Sequence, residues 1–443
     1  MTNGYPQPVA PPPYGTYPLQ PSAAAPRVDY GLVRRLRIDA AARIQELERA
    51  HGRAVTREAA QSEVIELAAG AQVSDPQQFD ATVNAILDLL FGAGRLQPLL
   101  DDPAIENIDI NGKRVFVQRF DDPHPVEIGP VAEGPEELVD LIRTLASGIT
   151  TGTVSRPWDE ANPEVDFSQP GGLRFSGLMS VTGDGPVVSI RRNRLASVQL
   201  RELQDNGTVT EQCANFLRAA VAARRNLIVA GETNSGKTTL LRALINAVNR
   251  NERLITVENA RELGVDRQPD LHPNAISLEV RPANSEGLGG LGMRALVRRS
   301  LRMNPSRVIV GEVLGDEIVE MLKAMTQGNR GSMSTLHAER GDQVFERIAI
   351  YARQGPENLP TDVVHEMIAS ALDFVIYIRR ARTAAGHFVR FVSEIREVNG
   401  FDGRVQSSQV FAPGPDGRAV PRAAISCLDE LVEHGYDPAG GYR

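Results

Sequence analysis

The residues best suited to chemistry form one glycine-rich loop near the middle of the chain. Gly231 to Thr239 read Gly-Glu-Thr-Asn-Ser-Gly-Lys-Thr-Thr and match the pattern Gly-x-x-x-x-Gly-Lys-Ser/Thr. The glycines let backbone N–H groups face phosphate oxygens, the lysine reaches the β and γ phosphates, and the next hydroxyl ligates Mg²⁺. A random chain of this length and composition would contain roughly 0.002 matches to this pattern on average. The loop predicts nucleotide binding by Gly231, Glu232, Thr233, Asn234, Ser235, Gly236, Lys237, Thr238 and Thr239, with Thr238 on Mg²⁺.

Hydrolysis needs a carboxylate that orients water and helps to hold the metal. Glu312 follows the apolar run Val308-Ile309-Val310-Gly311, and Glu258 ends the run Leu254-Ile255-Thr256-Val257. An acid at the carboxyl end of a strand lies where an open α/β sheet has its active site. We therefore predict Glu312, and second Glu258, as catalytic acids; the alternative is an ordinary surface glutamate.

Three further residues are candidates for a catalytic role, although residues of these types more often have only a structural role. His337 lies in Gly331-Ser332-Met333-Ser334-Thr335-Leu336-His337-Ala338, and Arg174 and Arg191 lie upstream of the loop. A lone histidine in such a small-residue strand is more often structural than catalytic. Both arginines would by default be solvated surface charges, since arginine is abundant in this chain.

The elements that must position these residues alternate between strand and helix. Asn226–Ala230, Leu254–Val257 and Val308–Val310 predict strands, and Thr238–Val248 and Met293–Met303 predict helices. This order favours a parallel, doubly wound sheet. Antiparallel edge strands are predicted over 389–410 around a turn at Asn399-Gly400.

The preceding part of the chain predicts helices and a small α+β domain. Helical spacing runs from Tyr30 to Leu90; a hairpin follows around Asn111-Gly112, then a helix from Pro135 to Ala146 and strands up to Arg191. Residues 1–28 are rich in proline, carry one charge and predict a disordered tail. The predicted divisions are 1–28 tail, 29–95 helical segment, 96–198 small α+β domain and 205–443 P-loop domain.

Composition narrows the class of protein. The 443 residues carry 48 Lys and Arg against 56 Asp and Glu, a net charge of −8, which argues against nucleic acid as a partner. Two distant cysteines predict neither a zinc ribbon nor a disulfide framework and favour a reducing compartment. Because no apolar run has the length of a membrane helix, we expect a cytoplasmic protein without direct membrane insertion.

Taken together, the motifs resemble those of the secretion ATPase superfamily of type II and type IV secretion and type IV pili. They occur in its order: the glycine loop, Thr256-Val257-Glu258, Leu301 to Val313 and Gly331 to Ala338. The resemblance extends from about Leu99 to about Val398 and is strongest to the CpaF-type ATPases of tight-adherence (Tad) pili.

The resemblance implies a hexameric motor ATPase that uses ATP and Mg²⁺, with a small N-terminal domain and a RecA-like C-terminal domain. Lys237 and Thr238 would belong to Walker A, Glu312 to Walker B, Glu258 to the acidic box and His337 to the histidine box. Glu312 and Glu258 would approach Mg²⁺ through water. The implied partners are inner-membrane platform proteins, which would hold the motor at the cytoplasmic membrane. Arg174 and Arg191 match the places where the family's N-terminal domain supplies arginines toward the γ-phosphate.

Two positions depart from the family pattern, and other functions remain open. Leu314 stands where the family often has arginine, and Asn259 where aspartate is frequent; the four-cysteine zinc element of type II enzymes is absent. The alternatives are a nucleic-acid-dependent RecA-like motor, an ATPase of a type IV conjugation or secretion system, and a slow nucleotide switch that acts as a scaffold.

Overall fold

The structure is a computed structural model that describes residues 28–71, 73, 75–120, 122, 124–147, 158–169, 172–181, 183–192, 198–281, 283, 287–383 and 388–438. The predicted tail, apart from Val28, lies outside these residues. Gly171, three residues before Arg174, also lies outside them. Within them, no helix combines the length and apolarity needed to span a membrane.

The described residues form the following helices and strands. The helices are α1 (Tyr30–His51), α2 (Arg57–Gly70), α3 (Pro76–Phe91), α4 (Gln97–Asp101), α5 (Pro135–Ser147), α6 (Leu200–Asp205), α7 (Glu211–Ala222), α8 (Lys237–Ile245), α9 (Met293–Ser300), α10 (Glu317–Thr326), α11 (Val344–Arg353), α12 (Thr361–Ala371) and α13 (Leu428–Glu433). The strands are β1 (Ile105–Asn111), β2 (Arg114–Arg119), β3 (Val126–Ile128), β4 (Glu164–Gln169), β5 (Leu173–Leu178), β6 (Val187–Arg192), β7 (Leu227–Gly231), β8 (Leu254–Glu258), β9 (Ala275–Glu279), β10 (Arg307–Val313), β11 (Met333–His337), β12 (Phe374–Arg382), β13 (Phe388–Phe401), β14 (Val405–Pro413) and β15 (Ala419–Pro421).

The chain divides into two compact units. Of the described residues, one unit comprises those up to Pro103 together with Pro130–Leu145, and the other comprises those of Ala104–Gly129 and those from Ala146 onward. The first unit is built on α1, α2 and α3, which bury a common apolar core. Asp29, Thr56 and Asp75 cap their N-termini by accepting backbone N–H bonds, as short polar side chains do at that position. The domain boundaries predicted from the sequence remain a prediction.

The second unit contains a six-stranded antiparallel sheet of order β3-β2-β1-β6-β5-β4. The hairpin predicted at Asn111-Gly112 is present, with Asn111 opposite Arg114. β5 and β6 pair so that Arg174 lies directly opposite Arg191. Like charges directly opposite each other destabilise a sheet. This sheet therefore holds two guanidinium groups close together, and an anion bound between them would reduce their repulsion.

The same unit contains a nine-stranded sheet of order β15-β14-β13-β12-β7-β11-β10-β8-β9. The six strands from β12 to β9 pair in parallel, as the alternation of strands and helices predicts. One apolar core packs α7 and α8 on one face of the sheet, and a second packs α9 to α12 on the other. The carboxyl ends of β7, β8, β10 and β11 consequently meet at one edge.

Two predicted boundaries differ from the structure. The turn between the antiparallel strands lies at Asp402-Gly403 rather than at Asn399-Gly400, which instead falls at a register shift within β13. The helix that begins at Met293 ends at Ser300 rather than at Met303. Asn304 has φ of 55°, a left-handed conformation that cannot continue a helix and that turns the chain into β10.

The strand that carries Glu312 is anchored at its other end by a buried ion pair. Arg307, 1% exposed, begins β10 and donates from Nε and Nη2 to the two carboxylate oxygens of Glu252 at 2.8 and 2.7 Å. Its guanidinium also donates to the carbonyls of Val221 and Gly331. A buried charge is tolerated only when it is paired and fully hydrogen-bonded in this way.

We expect Arg307→Met to lower the free energy of unfolding by about 3 kcal/mol, because it leaves the carbonyls of Val221 and Gly331 without this donor and leaves Glu252 with only the more exposed Arg224 as an ion-pair partner. Urea unfolding measures this change. Arg330→Met is the matched control, since Arg330 is 54% exposed and pairs with Asp373 at 3.2 Å; its loss should cost less than about 1 kcal/mol. Equal effects of the two substitutions would contradict the anchoring role of Arg307.

Candidate active site

A cavity of about 680 Å³ lies at the carboxyl edge of the nine-stranded sheet. Its lining includes Thr233–Leu240 of the glycine loop and helix α8, together with Glu312 and His337 from the ends of β10 and β11. Arg174 and Arg191 from the six-stranded sheet also line it. The structure therefore brings most of the sequence-predicted residues to one cavity, although they span more than 160 positions of the chain.

The glycine loop has a backbone that few other residues would allow. A Cβ on Gly231 would lie 2.3 Å from the carbonyl oxygen of Ile378, and Gly236 has φ of 98°. Asn234 is also left-handed, with φ of 59°. Among the described residues the buried Ser235 hydroxyl finds no hydrogen-bond partner. A loop with such an unsatisfied donor and a helix N-terminus behind it is suited to bind an anion.

Lys237, His337 and Glu312 form a continuous hydrogen-bonded chain. Nζ of Lys237 donates to the carbonyls of Gly231 and Glu232, at 3.1 and 2.9 Å, and lies 3.1 Å from Nδ1 of His337. Because an ammonium has only donors, Nδ1 of His337 accepts, and Nε2–H donates to Oε1 of Glu312 at 2.7 Å. Burial, and then the Lys237 charge, lowers the pKa of His337, which favours the neutral ring that these two contacts require. Burial also lowers the pKa of Lys237.

Glu258 is placed differently from the other candidates. It is 3% exposed, and its Oε1 accepts the backbone N–H groups of Glu262 and Leu263 at 2.9 and 2.8 Å. Burial raises the pKa of Glu258 to about 7. This carboxyl is absent from the cavity lining. In this conformation Glu258 shapes the turn after β8, and its predicted catalytic and metal-binding roles remain predictions.

Glu262 lines the cavity where Glu258 does not, and sequence reasoning missed it. Its Oε1 accepts from Nη1 of Arg174 at 2.9 Å, and its carbonyl accepts from Nη2 of Arg242. Its spacing in the sequence could have indicated this position, because Glu262 lies four residues beyond Glu258, the acid at the end of β8. The turn after β8 folds Glu262 back toward the end of that strand.

The cavity is strongly cationic. Its lining holds one lysine and five arginines, against three glutamates: Lys237, Arg174, Arg191, Arg242, Arg390 and Arg418, with Glu106, Glu262 and Glu312. Burial lowers the pKa of Arg242 and of Arg390, and the nearby Arg191 charge lowers each further. Such a concentration of guanidinium groups fits a polyphosphate, whose oxygens accept their paired N–H groups.

The donors also fit Mg²⁺ bound mainly by phosphate and water. Thr238 and Glu312 both line the cavity, whereas no cluster of three His, Cys, Asp or Glu that could enclose a metal occurs among the described residues. Mg²⁺ at nucleotide sites commonly uses one or two protein oxygens and takes its other ligands from phosphate and water. A Mg²⁺ so held would neutralise charge on the phosphates, while Thr238 and Glu312 would orient it and its waters.

The chain is similar in sequence to a known protein family and to several named relatives. The family model described as type II/IV secretion system protein matches residues 163–414. A protein of Mycobacterium tuberculosis named as a conjugal transfer protein is 33% identical over 340 residues, covering 75% of this chain and 91% of the relative. The type IV secretion system protein VirB11 of Brucella suis is 28% identical over 335 residues, covering 68% of this chain and 88% of the relative.

Among solved structures, the VirB11 ATPase of the Brucella suis type IV secretion system is 25% identical, with a TM-score of 0.37, covering 71% of this chain and 96% of the other. The predicted fold class, a RecA-like P-loop domain with a smaller α+β N-terminal domain, is confirmed by the family match together with the parallel sheet. Since the match spans more than half of the chain, and the mycobacterial relative is 33% identical over three quarters of it, this chain belongs to the type II/IV secretion system protein family.

Proposed function

We propose that this protein is a motor that hydrolyses ATP with Mg²⁺ to power pilus assembly or protein secretion, of the CpaF type found in Tad pili. The observation that carries the proposal is the chain Lys237–His337–Glu312 beside the glycine loop. It joins the lysine that meets the β and γ phosphates to a carboxylate able to orient water. Such a link between the phosphate-binding group and the acid suits hydrolysis better than a passive nucleotide switch.

Each site residue has a part in this proposal. The loop amides and Lys237 hold the phosphates, Thr238 ligates Mg²⁺, and Glu312 orients the attacking water. His337 keeps Glu312 in position through Nε2–H, while Arg174 and Arg191 stabilise charge on the transferring phosphoryl group. In the structure Glu262 holds Arg174, and we propose that the γ-phosphate takes its place. Glu258 remains a second proposed acid, which would need to leave its backbone partners to act.

An ATPase of a type IV conjugation or secretion system fits equally well. The relatives described above carry the names conjugal transfer protein and type IV secretion system protein. A nucleic-acid-dependent motor fits less well, because the net charge is −8. DNA filter binding together with a steady-state ATPase assay separates a DNA-dependent motor from a secretion motor. The cargo carried by the membrane partners distinguishes Tad pili from conjugation.

Partners complete the proposal. We propose a homo-hexamer that works at the cytoplasmic face of the inner membrane and is held there by platform proteins rather than by insertion of its own chain. A head-to-tail interface that closes after six copies gives a ring. Such a ring would transmit each ATP-driven movement to the platform.

The first prediction of this proposal concerns Glu312. Glu312→Gln should lower kcat about 100-fold or more, because the neutral amide lacks the carboxylate charge that orients the attacking water, while ADP affinity stays within about twofold. Steady-state phosphate release and calorimetric ADP binding measure the two effects. Glu339→Gln is a control on the loop just beyond β11, outside the cavity lining. Retention of most of kcat in Glu312→Gln would assign the water-orienting role to another acid.

The second prediction concerns the arginines and the histidine. Arg174→Ala, Arg191→Ala and His337→Ala should each lower kcat at least tenfold with little change in ADP affinity, since they act where charge changes during transfer. Arg114→Ala is the matched control, because Arg114 lies on the same six-stranded sheet, 65% exposed, and pairs with Glu127. A parallel fall in ADP affinity and kcat would contradict a role at the γ-phosphate.

The third prediction is assembly. Light scattering of the full chain with Mg²⁺ and a non-hydrolysable ATP analogue should give six times the monomer mass. Mass remaining at the monomer value, at a protein concentration where turnover is measurable, would count against the ring.

A further inference from the structure

The cavity extends to both sides of strand β7, and this gives it two chemically different ends. The sheet order places β11 and β10 on one side of β7 and β12 and β13 on the other. Glu312 and His337 belong to the first side, whereas Ile378, Phe388, Val389 and Arg390 line the cavity from the second. With the γ-phosphate of a triphosphate placed near Glu312, the side formed by β12 and β13 is open to the nucleoside.

Phe388 is an unusual residue to find at that end. Its side chain lines the cavity, yet the residue is 53% exposed although it lies in a strand. The guanidinium of Arg380 stacks over the Phe388 ring with 3.6 Å between Cζ and the ring centroid. The guanidinium of Arg382, directly opposite Phe388 in the sheet, lies farther away, with Cζ 5.8 Å from the ring centroid. Burial within the sheet therefore does not account for this aromatic side chain.

The arginines around Phe388 tie it to the glycine loop. Arg390 lies two residues along β13, on the same face as Phe388, and its Nε donates to the carbonyl of Asn234 at 2.8 Å. Arg380 lies directly opposite Arg390 across the hairpin. These contacts fix the position of the ring relative to the loop that would hold the phosphates.

We propose that Phe388, backed by Arg380, is the platform on which the nucleobase stacks, with Ile378 as an apolar neighbour. This inference rests on the proposed function, because it needs a nucleoside triphosphate in the cavity. Stacking uses the π-face that every base has, and a guanidinium on the far side of the ring adds cation–π attraction. Recognition by stacking is tolerant of base identity, so adenine and guanine nucleotides should bind with similar affinity.

The test compares a ligand that has a base with one that has none. In the full-length protein with Mg²⁺, Phe388→Ala should weaken ADP binding about tenfold or more by calorimetry, while pyrophosphate binding changes less than about twofold. Phe401→Ala is the matched control, since Phe401 ends the same strand, is 40% exposed and lies outside the cavity lining. GDP should bind the unchanged protein within about threefold of ADP.

A second variant gives a direct spectroscopic signal. Phe388→Trp should retain ADP affinity, and its fluorescence should change on addition of ADP but not of pyrophosphate. The chain has a single native tryptophan, Trp158, which is fully buried and absent from the cavity lining.

Equal ADP affinity in Phe388→Ala and Phe401→Ala would overturn the proposal. So would a parallel loss of ADP affinity and pyrophosphate affinity in Phe388→Ala, or fluorescence of Phe388→Trp that does not change on addition of ADP. If the unchanged protein binds neither ADP nor pyrophosphate, the result contradicts the proposed function itself rather than the role of Phe388. Unchanged pyrophosphate affinity in Phe388→Ala also shows that the glycine loop is folded.

Discussion

The structure of this site depends on one buried charge. Lys237 is 6% exposed, and an ammonium removed from water is costly unless every N–H finds an acceptor. The carbonyls of Gly231 and Glu232 and the ring of His337 supply those acceptors. This requirement fixes the curl of the loop, the tautomer of the histidine and, through that histidine, the position of Glu312. A phosphate would add the negative charge that these neutral acceptors lack.

The parallel sheet makes this arrangement possible. Strands β7, β10 and β11 lie side by side and end at one edge, so their last residues meet although loops and helices separate them in the chain. Register matters as much as order. Arg307 holds the start of β10 through Glu252, and the strand then delivers Glu312 five residues later to the edge of the cavity. A shift of one residue would turn that carboxylate to the other face of the sheet.

The arginines explain why an open cavity in an acidic protein is nevertheless suited to anions. Arg174 and Arg191 face each other on one sheet, and Arg380 and Arg390 face each other on another. Each pair is unfavourable in itself, because like charges lie opposite one another. Glu262 relieves part of this repulsion by binding Arg174. A polyphosphate bound in the cavity would relieve more of the repulsion between Arg174 and Arg191, which both line it.

The sequence by itself determined the local parts of this protein. The order of glycines around Lys237 dictates a phosphate-binding loop, and the apolar run before Glu312 dictates a buried strand with an acid at its end, because both depend only on neighbouring residues. Tertiary structure alone decided that Glu258 turns inward to backbone N–H groups while Glu262 faces the cavity. It also decided that β12 and β13 bring Phe388 to the loop. Such pairings join residues far apart in the chain, and hydrophobic periodicity does not encode which strand lies beside which.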